Sequence, residues 1–126
     1  MNQPILSNEI RRFILANIPT VPHLEALLLL RSEPHAWTGD ALARRLYVEP
    51  AHADALLAHL QSSGLVRSDA GLGHVYAPDP PEVAELIAQL CTIYSRHIVT
   101  ITDLIHSIGD RKAQRFADAF RWRKER

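Results

Sequence analysis

The sequence predicts a small, mainly α-helical domain interrupted by one short β-hairpin. Three observations predict it. Apolar residues recur at helical spacing over most of the 126 residues. That spacing gives way once, after Gly64, to two short β-type runs around a polar, glycine-bearing loop. Prolines, small polar residues and glycines punctuate the chain where helices should start and stop. The length suits one ordinary domain, and a hydrophobic content of 47% suits a folded chain.

The first helix is expected over Ser7 to Ile18, with Ile10, Phe13 and Ile14 on one face and Ser7 as cap. Pro19 and Pro22 end it and restart the chain. A second helix follows over Pro22 to Ser32, carrying Leu24, Leu27, Leu28 and Leu30, and Pro34 closes it. Thr38-Gly39-Asp40 reads as a cap with an acid in the first turn, opening a third helix to about Leu46. Val48-Glu49-Pro50 is a tight link, with Glu49 near the cap. The fourth helix then runs from Pro50 to Ser63, with Ala53, Leu56, Leu57 and Leu60 inward, and Gly64 sits where a terminal glycine is wanted.

Leu65-Val66-Arg67 and His74-Val75-Tyr76-Ala77 read as two strands around the loop Ser68 to Gly73. After Pro78, Pro80 and Pro81, with Asp79 as cap, one long helix is expected from Pro81 to about Ser107. Its stripe runs from Val83 through Leu90 and Ile101 to Ile108, over roughly 40 Å. His97 interrupts that stripe, either fixing the register of a helix–helix seam or keeping its ring tip in water. Gly109 ends the long helix. A last one, Asp110 to Lys124, places Ala113, Phe116, Ala117 and Phe120 together. The resulting division is residues 1–20, an N-terminal helix; 21–78, the helical and hairpin core; and 79–126, the C-terminal helices.

Composition narrows the function classes. Fourteen basic and fourteen acidic residues give zero formal charge. The single cysteine, Cys91, excludes an intrachain disulfide and reads as a buried structural thiol. His52 and His59 lie seven residues apart and Cys91 and His97 six, so no metal-ligand spacing appears. No signal-peptide pattern or membrane-length apolar run occurs, which points to a soluble cytoplasmic protein without membrane contact. Nucleophile elbow, zinc-protease and phosphate-loop motifs are all missing, so neither catalysis nor a cofactor is expected.

The run Ala53-Asp54-Ala55-Leu56-Leu57-Ala58-His59-Leu60-Gln61-Ser62-Ser63-Gly64-Leu65-Val66-Arg67 is similar to the recognition helix, terminal glycine and first wing strand of bacterial MarR-type regulators. Thr38 to Leu46 resembles the helix before it, and the flanking helices resemble the dimerisation elements of that family. The resemblance covers about half the chain. It implies a winged helix-turn-helix with a two-stranded wing, an N-terminal helix and a long C-terminal helix plus a short last one. It also implies a homodimeric transcriptional regulator that binds duplex DNA. On that reading His52, Ala55, His59 and Gln61 face the bases of a major groove. Arg44, Arg45, Arg67 and His74 hold the backbone.

The charge pattern departs from the DNA-binding one. The presented face of the fourth helix carries Asp54 and no Lys or Arg, and residues 1–77 sum to −1. The second expectation is therefore a winged helix acting as a protein–protein module. Positive charge collects instead in residues 110–126, where seven bases oppose three acids; the rest of the chain carries −4. Such a tail can meet phosphates or an acidic surface of a dimer mate. The plainest reading is a solvated helix end whose cations complement the dipole. Trp122, between Arg121 and Arg123, adds an amphipathic note.

Overall fold

The structure, a computed structural model, describes residues 5–124, with side chains described through residue 119. Among these residues it forms six helices and one two-stranded antiparallel sheet. α1 spans Asn8–Asn17 and is capped by Ser7, whose side chain accepts from the Ile10 N–H at 3.2 Å. α2 spans Val21–Ser32. Thr20 precedes it without capping, because its hydroxyl is engaged with His23 Nδ1 at 2.6 Å.

α3 spans Gly39–Leu46, and Thr38 caps it by accepting from the Ala41 N–H. α4 spans Pro50–Ser62, with Pro50 in the first turn where its missing N–H costs nothing. Glu49 holds the cap position but makes no side-chain bond there. The central core joins Leu24, Leu27 and Leu30 of α2 to Leu42 of α3 and to Leu56 and Leu60 of α4, all with at most 1% exposure. Gly64 follows α4 at φ +75°, a left-handed turn that a side chain would strain.

The hairpin is slightly shorter than the sequence suggests. β1 is Val66–Ser68 and β2 is His74–Tyr76, with Arg67 opposite Val75. Leu65 drops out of the first strand and is buried, its N–H bonding the Leu60 carbonyl. The sheet also gains a contact that the periodicity does not reveal. Trp37 and His74 exchange both backbone hydrogen bonds at 2.8 Å, tying the chain before α3 to the far side of β2. Gly73 permits this approach. At φ +121°, a Cβ there would stand 2.2 Å from the Trp37 carbonyl oxygen.

The C-terminal part departs from expectation in three ways. Asp79 does not cap the next helix; its N–H bonds the Gly64 carbonyl, and α5 begins at Glu82 behind Pro81. The long helix breaks at His97, the exposed residue between α5 (Glu82–Arg96) and α6 (Ile98–Lys124). The β-branched run Ile98-Val99-Thr100 after it is poorly suited to continuing a straight helix. Conversely, α6 runs through Gly109, because the cost of about 1 kcal/mol for a helical glycine is outweighed by the buried turn before it and by the helix formers Arg111 to Arg115 after it.

The break at His97 has a packing consequence. It lets Ile101, Leu104 and Ile105 bury within the chain, with α6 packing on α1 and α5. Most of the apolar stripe from Val83 to Ile108 is thus covered by the chain itself. Cys91 on α5 is half-buried rather than enclosed. Ala113, Phe116 and Ala117, expected on one face of a last helix, are exposed; Phe120 and Trp122 lie outside the described side chains.

Candidate nucleic-acid interface

α4 rests on α2 and α3, and its opposite face is uncovered along its whole length. Ala51, Asp54, Ala55, Ala58 and Ser62 form that exposed face, with His52 beside it. Asp54 does not simply project outward. Its carboxylate packs on Gly39 at the start of α3, where an added Cβ would meet Oδ1 at 1.7 Å. The α3 N-terminus carries partial positive charge, so the acid is favourably placed there.

The expected site residues separate into three groups. Arg44, His52, Ala55 and Arg67 are exposed. Gln61 and His74 are brought together, the Gln61 Oε1 lying 2.8 Å from His74 Nε2, so the end of α4 is fastened to the hairpin. Arg45 and His59 are engaged elsewhere. Arg45 donates from Nη1 and Nη2 to Glu33 Oε1 and Oε2 at 3.2 and 2.5 Å, and its guanidinium lies over the Trp37 ring. The hydrogen bond from Arg45 holds the Glu33 carboxyl below its usual range. A cation in a two-pronged pair is a poor phosphate donor, because that pair must first be broken.

His59 is corrected from the presented face to the α2–α4 contact. It is half-buried, its ring meets His23 of α2 edge-on at 4.7 Å, and its Nδ1 is enclosed without a partner. Partial burial, and then the nearby His59 and His52 rings, push the His23 pKa down from 6.5 to about 4. Among the described residues no group of three or more His, Cys, Asp or Glu side chains is placed to hold a metal.

One exposed residue escaped the sequence reading. Tyr47 ends α3 at φ +58° with 95% of its surface exposed, in the turn between α3 and α4. A bulky residue in the left-handed region is uncommon and costs about 1 kcal/mol or more. The only sequence signal for it is an aromatic residue directly after the last periodic position of α3. Beside it a shallow cleft of about 340 Å³ lies between α3 and the start of α4, lined by Asp40, Ala43, Arg44, Val48 and Pro50.

Compared with known proteins, the chain matches no family model, no curated protein and no solved structure. Among the described residues no single helix is long and apolar enough to cross a membrane. The pair α1–α2 has the composition, but it is bent by 107° and its apolar faces are in the core.

Proposed function

We propose that this chain is a winged helix-turn-helix protein that binds duplex DNA as a homodimer, with α4 in the major groove and the β1–β2 hairpin as the wing. One observation carries the reading. α4 is seated on α2 and α3 with a full face free, and the Gln61–His74 bond fixes a β-hairpin beside its end. A groove-binding helix needs this combination of rigid seating and open face. The small side chains Ala51, Ala55 and Ala58 allow close approach and suit thymine methyl groups. Arg44 and Arg67 stand free of ion pairs among the described residues and supply the flanking phosphate contacts. Gln61 and His74 position the wing instead of reading bases.

The test is a fluorescence anisotropy titration of labelled duplex at several salt concentrations. Two phosphate contacts per protomer from this surface give a salt slope of about −2 per protomer. No complex with any genomic or random duplex at low salt overturns the reading.

A specific observation favours a second reading, the protein-docking module. The exposed face of α4 carries no cation, and Arg45 is held by Glu33. A stoichiometric partner that survives nuclease treatment and is lost on Ala55→Glu supports that reading over the first.

A further inference from the structure

We infer that the groove between α1 and the second half of α6 is a phosphate-binding surface for the backbone of duplex nucleic acid. The inference rests on the DNA-binding reading and supplies what α4 lacks. A cavity of about 170 Å³ is lined by Leu15, Ile108, Arg111, Lys112 and Arg115. Three cations from two successive turns of α6 thus stand around an apolar floor shared with α1. Arg111 and Arg115 are one turn apart, about 6 Å along the axis. Arg11 and Arg12 precede Leu15 by four and three residues, which places them on the same side of α1, and both are exposed.

None of these five cations forms an ion pair among the described residues, where the one salt bridge is Arg45–Glu33. Neither neighbouring acid pairs with them. Asp118 accepts from Gln114 at 3.0 Å, and Asp110 lines a different cavity with Thr20 and His106. The helix dipole does not account for them either. Its effect fades beyond the last turn, and α6 continues to Lys124, more than two turns past Arg115.

Charge segregation identifies the partner. Residues 1–109 carry −4 and residues 110–126 carry +4, so a polyanion is drawn to α6 and away from most of the remaining surface. Every residue from Gly109 to Ala119 is exposed, which leaves this length of helix open to an extended phosphate track. Phosphate contacts of this kind set affinity without reading sequence.

The experiment uses the full chain and its Arg111→Gln/Lys112→Gln/Arg115→Gln variant, with labelled duplex over a range of salt. Glutamine keeps the helix, and circular dichroism verifies it. The expected result is a salt slope shallower by about 3 per protomer and a roughly 100-fold or greater loss of affinity at low salt. An Arg44→Gln/Arg67→Gln variant, which tests α4 and the wing, should lose only about 2 from the slope. Wild-type binding with an unchanged slope in the triple variant overturns the α6 surface and leaves the α4 reading standing. Absence of any duplex binding by the wild type overturns both. Binding to phosphatidylserine vesicles tighter than to duplex, abolished by the triple variant, overturns nucleic acid as the partner. A cation-dependent shift to dimer, with no slope change, does the same in favour of a second copy.

Discussion

The region from α2 to β2 and the second half of α6 make opposite use of the chain. The first is tied together at every junction: Thr38 caps α3, Asp54 packs on Gly39, Trp37 exchanges bonds with His74, and Gln61 fastens α4 to the hairpin. Its arginines are few, and Arg45 is spent on Glu33. The second is a helix whose residues 109–119 are all exposed, with Arg111, Lys112 and Arg115 outside any ion pair among the described residues. Rigid seating with little positive charge stands in one region, and positive charge on a more open helix in the other. A protein that needs both to hold a polyanion can divide them in this way, since positioning and attraction are separable contributions.

The sharpest way to break this contrast is a methyl group at Gly73. Gly73→Ala puts a Cβ into the Trp37 carbonyl and forces alanine to φ +121°. The blocking atoms are backbone, so relief requires parting the Trp37–His74 bridge. We expect a loss of at least about 3 kcal/mol in urea denaturation, with the hairpin detached from α3. A loss below about 1 kcal/mol would show that the bridge does not hold the hairpin. A smaller effect is expected at Thr38→Ala, which removes the α3 cap and should cost about 1 kcal/mol in the same measurement.

Acidification probes the seam between α2 and α4. The unfolded His23 imidazole takes up a proton near pH 6.5, whereas in the folded chain it does so only near pH 4. Between those values the unfolded state binds more protons, so stability falls as pH is lowered through the window and levels off below about 4. The ring remains partly open to water, which moderates the effect. Denaturation midpoints between pH 7 and pH 4 should decline less in His23→Gln than in the wild type. Equal declines would place the acid sensitivity elsewhere.

These junctions also mark where sequence reasoning succeeds and stops. Helix positions were legible because local signals agree with the core pattern: Ser7, Thr38, Pro50 and Gly64 all act where their chemistry predicts. The break at His97 and the run through Gly109 were not. One depends on folding Ile101, Leu104 and Ile105 back onto α1 and α5, and the other on propensities summed over a long helix. The site was half legible. The resemblance rightly implied an outside position for Arg44, His52, Ala55 and Arg67, but the competition of Glu33 for Arg45 and of His23 for His59 arises only when distant residues meet. The cations after Asp110 were visible in the sequence, but the α1 wall of their groove was not, since Leu15 and Arg111 lie nearly a hundred residues apart.

The smallest predicted effect has the opposite sign. Gly109→Ala adds a methyl group where nothing lies within 4 Å, inside a helix that glycine weakens. The intrinsic gain is about 0.5–1 kcal/mol for that helix. Because every residue from 109 to 119 is exposed, this stretch is expected to rest mainly on local hydrogen bonds and to open before the core does. The gain should therefore appear as slower amide hydrogen exchange along residues 109–119, with the global denaturation midpoint little changed. A rise in the midpoint would mean instead that α6 is coupled to the core over its whole length. Glycine to alanine is thus expected to destabilise at Gly73, where the backbone of Trp37 is in the way, and to stabilise at Gly109, where nothing is.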